Sequence, residues 1–387
     1  MKFHINILCL ILLSITIYAQ TSDIPYTIRW SELPLLPPVG GQLESYGVAG
    51  PYTGMSNNAL IVAGGSNFPE PRWETWKMFH NNIWVLVIKE VNKYKWIDGG
   101  NLPFSAGYGA CVSTSYDVLC MGGCDNSKVY DNVFLLFFDV TSGEVKYTAL
   151  PSLPSPCCNM YAALIGNMVY VAGGQSGLDL STTMTNFWRA DISGIKEGHL
   201  SWEKLPSWPG PSRAFNLTVA QKNREGTTCI YVISGRRESN NSTVENLRDV
   251  YEFNPVRYNL SLNGKSTQTV WRRMTDAPHC VMDGTAAAVG NRFIGVFGGA
   301  DVAVDISDSL KRIQPLFSKV TFAFDTYKNK WYQTGSSPMN HVTTTAVSWG
   351  NKIIIPCGEI KPRTRTPEIL VATPVLKGNR FGGIKTI

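Results

Sequence analysis

Charge is scarce in this chain. Asp, Glu, Lys and Arg make up 17% of its 387 residues, and histidine occurs five times. The net charge of +6 is spread thinly, with no Lys/Arg block able to track a phosphate backbone, which argues against nucleic-acid binding. The histidines (His4, His80, His199, His279 and His341) fall in no spacing that reads as a metal site, so no metal is expected. The long apolar run, residues 5–18 (INILCLILLSITIY), is short for a membrane span. Met1-Lys2 precedes it, and Ala19-Gln20 and the polar Thr21-Ser22-Asp23 follow. This reads as a signal peptide over 1–19, with 20–387 exported as one domain to the periplasm and free of the membrane after cleavage. An uncleaved anchor is the alternative.

Cysteine is present but not patterned. Cys9 lies in the leader, which leaves eight cysteines that an oxidising compartment would allow to pair. Cys111, Cys120, Cys229 and Cys357 sit in apolar runs and read as small buried hydrophobes. Cys120 with Cys124, and the adjacent Cys157-Cys158, lack a second pair and nearby histidines, so structural thiols are expected in preference to zinc.

Glycine (35) and proline (22) are abundant, and 44% of the residues are apolar, the profile of many short strands joined by turns. An apolar run closing on glycine recurs as LIVAGG (60–65), VLCMGG (118–123), VYVAGG (169–174), IYVISG (230–235), IGVFGG (294–299) and IIIPCG (353–358). Successive ends are 58, 51, 61, 64 and 59 residues apart. A second run follows each after a loop, as in NVFLLFFDV (132–140) or VTFAFDT (320–326). A Trp-centred strand and a Pro loop then close the unit: Trp96 to Pro103, Trp202 to Pro206, Trp271 to Pro278 and Trp331 to Pro338, with Tyr147 before Pro151 in the second unit. Each unit reads as a four-stranded meander that cannot bury both faces alone and must stack radially. The period and the closing glycines resemble the kelch repeat, which predicts an all-β, six-bladed propeller.

The last unit lacks its Trp strand, and YTIRWSELPLLPP (26–38) supplies one at the other end of the chain. The N-terminal strand is therefore expected to complete the sixth blade and close the ring. With strands A to D in chain order, the A–B turns are tight (Gly166-Asn167, Gly290-Asn291, Gly350-Asn351), whereas the B–C loops at 66–82 and 300–319 are long. Function is expected on the B–C and D–A face. The residues just after the closing glycines enter that face near the axis: Ser66, Cys124, Gln175, Arg236, Ala300 and Glu359. Glu359 is the one acid among them, with Lys361, Arg363 and Arg365 close by. A carboxylate there can move protons while an arginine holds an anion, or the cluster can be a salt bridge at the loop rim.

Gly358-Glu359-Ile360-Lys361-Pro362, with Arg365 six residues after the glutamate, resembles the Gly-Glu-x-Lys-Pro-x-x-Arg motif of the N-acetylneuraminate epimerases, sialic acid mutarotases with kelch propellers. Residues 47–65, Arg213 in GPSRAF, Asp249-Val250 and the stretch from Pro338 to Trp349 have counterparts too, in rotated order, as in a cyclically permuted branch. The resemblance implies a cofactor-free isomerase that interconverts the anomers of a sialic acid. It makes Glu359 the proton acceptor, and Arg365 a partner that binds or orients the substrate. Arg213, Arg236 and Arg363 become candidates for binding the sugar acid, with Arg363 competing with Arg365 for the carboxylate. Tyr108 in SAGYGA becomes either the proton donor to the ring oxygen or a buried strand residue. The family's arginine beside this tyrosine is replaced by Ala106 or Gly107.

Two other functions fit a propeller of this kind. A copper-radical oxidase would need two histidine and two tyrosine ligands, and no such pattern stands out. A non-catalytic, exported glycan-binding propeller requires only the loops.

Overall fold

The structure is a computed structural model that describes residues 24–39, 42–90, 93–115, 117–265, 267–301, 308–313 and 316–376. The apolar run at 5–18 and the cleavage point proposed after Ala19 lie outside these residues. Six four-stranded antiparallel sheets follow one another around a central axis as the blades of a propeller. Blade 1 runs Tyr52–Ser56, Ala59–Ala63, Asn82–Glu90 and Lys93–Asn101. Blades 2 to 5 repeat the meander, starting from the inner strands Ala110–Ser113, Tyr161–Ile165, Leu217–Lys222 and Thr285–Val289.

Blade 6 is a composite. Val347–Trp349, Lys352–Pro356 and Ile369–Leu376 come from the C-terminal part, and Tyr26–Leu33 adds the outer strand. Its register runs without a break from Tyr26 opposite Leu376 to Leu33 opposite Ile369. Tyr26 is fully buried and meets Phe293 of blade 5 edge-on, while Trp30 does the same with Phe297. The ring is thus closed by a paired strand and by side chains that reach the neighbouring blade.

The second strands of blades 1, 2 and 5 (Ala59–Ala63, Val118–Met121 and Phe293–Phe297) are buried along their whole length. Both faces of such a strand meet another blade, so its sequence is continuously apolar instead of alternating. Outer strands such as Glu144–Leu150 alternate and carry charge, which suits an edge open to water. Apolar clusters fill the gaps between consecutive blades. Ile61 and Val85 pack with Phe134 and Leu136 between blades 1 and 2, and Tyr170 and Phe187 with Ile230 and Phe253 between blades 3 and 4. Each large side chain buried there contributes roughly 1.5–3 kcal/mol, so every blade depends on both neighbours.

The Trp-to-Pro signature has a concrete cause. In three of the four Trp strands Nε1 donates to a backbone carbonyl of the preceding blade's closing segment: Trp96 to Pro34 at 3.1 Å, Trp271 to Pro206 at 2.8 Å and Trp331 to Thr275 at 3.0 Å, whereas Trp202 Nε1 is buried without a partner among the described residues. In those three the indole buries its body between blades and finds a carbonyl for its N–H. The closing glycines also have a steric reason. At Gly123 (φ 107°) an added Cβ would lie 2.3 Å from the Tyr52 hydroxyl. In blades 4 and 6 the first residue of the pair is Ser234 or Cys357, and both hold the same left-handed conformation.

Candidate active site

Two stacked rings of residues build the site on the B–C and D–A face. The lower ring consists of Gly50, Tyr108, Asn159, Phe215, Asp283 and Thr343, one from each blade. Each backbone N–H donates to the carbonyl of the ring member in the adjacent blade, at 2.7–2.8 Å, and the circuit closes on itself: Gly50 to Thr343, Thr343 to Asp283, Asp283 to Phe215, Phe215 to Asn159, Asn159 to Tyr108 and Tyr108 to Gly50. All six hold φ between 54° and 63°. Five of these side chains are not glycine, so a left-handed conformation that costs energy is imposed at each. The closed circuit of hydrogen bonds over-determines it.

The upper ring is the set expected from the closing glycines. Ser66, Cys124, Gln175, Arg236, Ala300 and Glu359 each pair through the backbone with the residue ahead of a lower-ring member: Ala49, Gly107, Cys158, Ala214, Met282 and Val342. Tyr108, Asn159, Phe215, Asp283 and Thr343 of the lower ring and Cys124, Gln175, Arg236 and Glu359 of the upper ring form the floor and wall of one cavity of about 630 Å³. The long loop 66–82 folds a short ribbon, Ser66–Asn67 with Met78–Phe79, that brings Phe68, Trp73 and Lys77 to the rim.

Glu359 and Arg365 face each other across the ribbon Glu359–Lys361 and Thr364–Arg365, and their register makes them direct partners. Arg365 Nη1 lies 2.5 Å from Glu359 Oε1 as an ion pair not aligned as a hydrogen bond. The N–H of Arg363 donates to the same oxygen at 2.8 Å, and Oε2 accepts no hydrogen bond among the described residues. Arg365 is nearly sealed. It donates to Ser66 O at 3.4 Å and to the Tyr108 hydroxyl at 3.3 Å, and lies over Phe68. Burial works against its charge, but Glu359 and Tyr108 outweigh this and raise its pKa.

The structure separates the other expected residues. Tyr108 is a floor residue whose inner strand begins only at Ala110, so it is not a buried strand tyrosine. Its hydroxyl is 2.8 Å from Ser66 Oγ, and Lys77 sits over its ring at 4.9 Å. Arg363 lines the cavity, but its guanidinium is tied down: Nη1 donates to Arg72 O at 2.9 Å, and the plane covers Phe68 and Trp73. Arg312 covers Trp73 from the other long loop. Arg236 lies over Phe215 at 4.7 Å with its Nε buried and unpartnered, and it makes no ion pair among the described residues. Burial lowers its pKa, opposed by Asp283, Cys280 and Glu359.

Arg213 is the correction. It is 0% exposed and does not line the cavity. Its guanidinium makes a bidentate pair with Asp249, both contacts at 2.8 Å, donates to Ser234 O at 3.0 Å and stacks against Trp208 and Tyr251. With its donors committed inside the protein, Arg213 braces blade 4 and cannot reach a ligand.

The floor ring was not foreseen, and Asp283 with it. A signal existed: five of the six floor residues stand two positions ahead of their inner strand, as Asp283 does before Thr285. Burial pushes the Asp283 carboxyl up to about 7; Arg236 opposes this and Glu359 adds to it. The cavity lining carries Lys77, Arg236, Lys311, Arg363 and Arg365 against Asp125, Asp283 and Glu359. This excess of positive charge suits an anionic ligand.

Residues 16–144 match the family model described as N-acetylneuraminate epimerase. The N-acetylneuraminate epimerase of Salmonella typhimurium is 24% identical over 272 residues, covering 63% of this chain and 64% of the relative. Over these spans the chain is similar to the N-acetylneuraminate epimerases. The enzyme of Salmonella typhi is 25% identical over 252 residues, 59% of each chain, and that of Vibrio vulnificus is 37% identical over 100 residues. The matches span about three fifths of the two Salmonella relatives. The solved "Structure of YjhT" superposes with a TM-score of 0.63 over 90% of this chain and 98% of its own, at 13% identity, and supports the propeller fold. The family-model match includes Tyr108 and the 66–82 loop, and ends before Glu359 and Arg365.

Proposed function

We propose that this chain is an exported, periplasmic sialic acid mutarotase that interconverts the α and β anomers of N-acetylneuraminate without a metal or organic cofactor. The observation that carries the reading is the Glu359–Arg365 ion pair, which opens onto a cationic cavity with an uncommitted arginine, Arg236, on the same wall. Relationship to the epimerases supports the substrate. The blade order, with its sixth blade assembled from both ends, suits a permuted member of the family.

In this mechanism the free Oε2 of Glu359 takes the proton of the anomeric hydroxyl. The electrons of that O–H bond form the keto group, the bond from anomeric carbon to ring oxygen breaks, and the ring oxygen is protonated. Rotation exposes the other carbonyl face, and the reverse transfers close the other anomer. Arg365 pairs with Glu359 and holds its carboxylate in place. Arg236, whose guanidinium makes no hydrogen bond or ion pair among the described residues, binds the substrate carboxylate in preference to Arg363 or Arg365.

NMR of freshly released N-acetylneuraminate tests this directly. Anomer equilibration should accelerate with the protein, and Glu359→Gln should remove roughly 100-fold or more of the effect. Unchanged equilibration with the wild-type protein sinks the proposal. Binding of the sugar without acceleration would assign the propeller to glycan capture instead.

A further inference from the structure

Ring opening needs a proton donor as well as an acceptor, and the stacked rings indicate where it stands. Asp283 is the floor residue of blade 5. Its neighbours on the wall are Arg236 of blade 4 on one side and Glu359 of blade 6 on the other. The wall position of blade 5 itself is Ala300, the smallest side chain in that ring. Asp283 lines the main cavity and also the narrow neck beneath it, where the Tyr161 hydroxyl lies beside the carboxyl. Among the described residues it makes no ion pair within 4.0 Å, unlike Glu359. Its left-handed backbone (φ 57°) is locked by hydrogen bonds on both sides, to Phe215 O and from the Thr343 N–H, each 2.8 Å.

From this placement we infer that Asp283 is the general acid of the reaction, delivering its proton to the ring oxygen as Glu359 removes the proton of the anomeric hydroxyl. This rests on the mutarotase reading. The step balances: Asp283 becomes a carboxylate, Glu359 a carboxylic acid, and the sugar passes to its open keto form with no net gain or loss of protons. Reclosure runs both transfers backwards and restores the starting charges. The surroundings keep the acid protonated near neutrality, since burial and Glu359 disfavour a second negative charge more than Arg236, Tyr161 and Arg365 favour it. Tyr108, the other candidate donor, already has its hydroxyl engaged with Ser66 and Arg365.

The test compares wild type, Asp283→Asn, Glu359→Gln and Tyr108→Phe by the same NMR assay across pH 5 to 9. Asparagine tolerates the left-handed backbone as well as aspartate does, so the floor ring should survive, and a thermal melt checks that it has. Asp283→Asn should lose roughly 100-fold or more of the acceleration while still binding N-acetylneuraminate, and the fall in wild-type rate above about pH 7 should vanish. Carbon NMR of aspartate-labelled protein, assigned with the variant, should show Asp283 titrating near neutrality. Asp283→Asn retaining the rate within twofold, titration near pH 4, or loss confined to Tyr108→Phe would each overturn the inference and leave the mutarotase reading standing. Wild-type protein that does not accelerate the exchange would overturn both.

Discussion

Arg236 and Arg213 stand on the same blade, and only Arg236 reaches the cavity. Arg213 turns inward to a bidentate pair with Asp249, whereas Arg236 lies over Phe215 with an unpartnered Nε. Two arginines that look interchangeable as carboxylate ligands are divided into brace and binder by what each meets, Asp249 or Phe215.

Their substitution should separate the two roles. Arg213→Ala strands a buried Asp249 and should cost about 3–5 kcal/mol of stability, read as a lowered urea midpoint. Arg236→Ala, which breaks no ion pair among the described residues, should lower the midpoint far less than Arg213→Ala and raise KM for the sugar acid at least tenfold with a smaller change in kcat. Loss of stability on removing Arg236 without loss of affinity would contradict the assignment.

Arg365→Lys should lower kcat more than it raises KM. Lysine keeps the charge but cannot hold Glu359, Ser66 O and the Tyr108 hydroxyl at once. Steady-state anomer exchange at several sugar concentrations separates the two parameters. A pure KM effect would instead make Arg365 the carboxylate ligand.

Asp283 should leave its mark on stability against pH. Its folded value is about 7, above that of an ordinary aspartate, so between about pH 4 and 7 the folded protein retains a proton that the unfolded chain has released. Unfolding free energy therefore falls as pH rises through that window, by an amount on the order of 1–4 kcal/mol for this group. Asp283→Asn should melt above wild type at pH 8 and close to it at pH 4. Parallel curves for the two proteins would count against the burial of this carboxyl.

Among the described cysteines, Cys124 should react first with iodoacetamide at neutral pH. Its thiol is held down by the hydrogen bond of Cys158, against burial and with help from Lys77. Burial raises Cys111, Cys120, Cys157, Cys229, Cys280 and Cys357, and Cys158 is raised by the same contact with Cys124. Cys124 also lines the cavity, so substrate should slow its labelling. Peptide mass spectrometry reads the order, and earlier modification of a core thiol such as Cys120 would refute it.

Most of the architecture was readable before any coordinates. Blade number, the Trp-to-Pro closure, the composite sixth blade and the upper ring all follow from features repeated in the chain. A strand covered on both faces must be apolar throughout, a chain turning beside its neighbours needs glycine or a tolerated left-handed residue, and an indole N–H between blades needs a carbonyl. Such local requirements recur in each unit and can be recognised by comparing the chain with itself. Glu359, placed next to a closing glycine, was found by the same logic.

The floor ring was decided by tertiary structure, the chain marking only its place two positions ahead of five inner strands. Gly50, Tyr108, Asn159, Phe215, Asp283 and Thr343 share no side-chain chemistry. What they share is a backbone hydrogen bond to the next blade, a relationship between segments some 50 to 70 residues apart along the chain, and one that wraps from Gly50 to Thr343 at the seam. No residue type announces such a bond. The same holds for Arg213 and Arg236, because which of them finds a carboxylate and which finds open space depends on where Asp249 and Phe215 are carried by the closed ring. The repeat determined that there would be a propeller and which face would work; packing around the axis determined which charges remained free to do so.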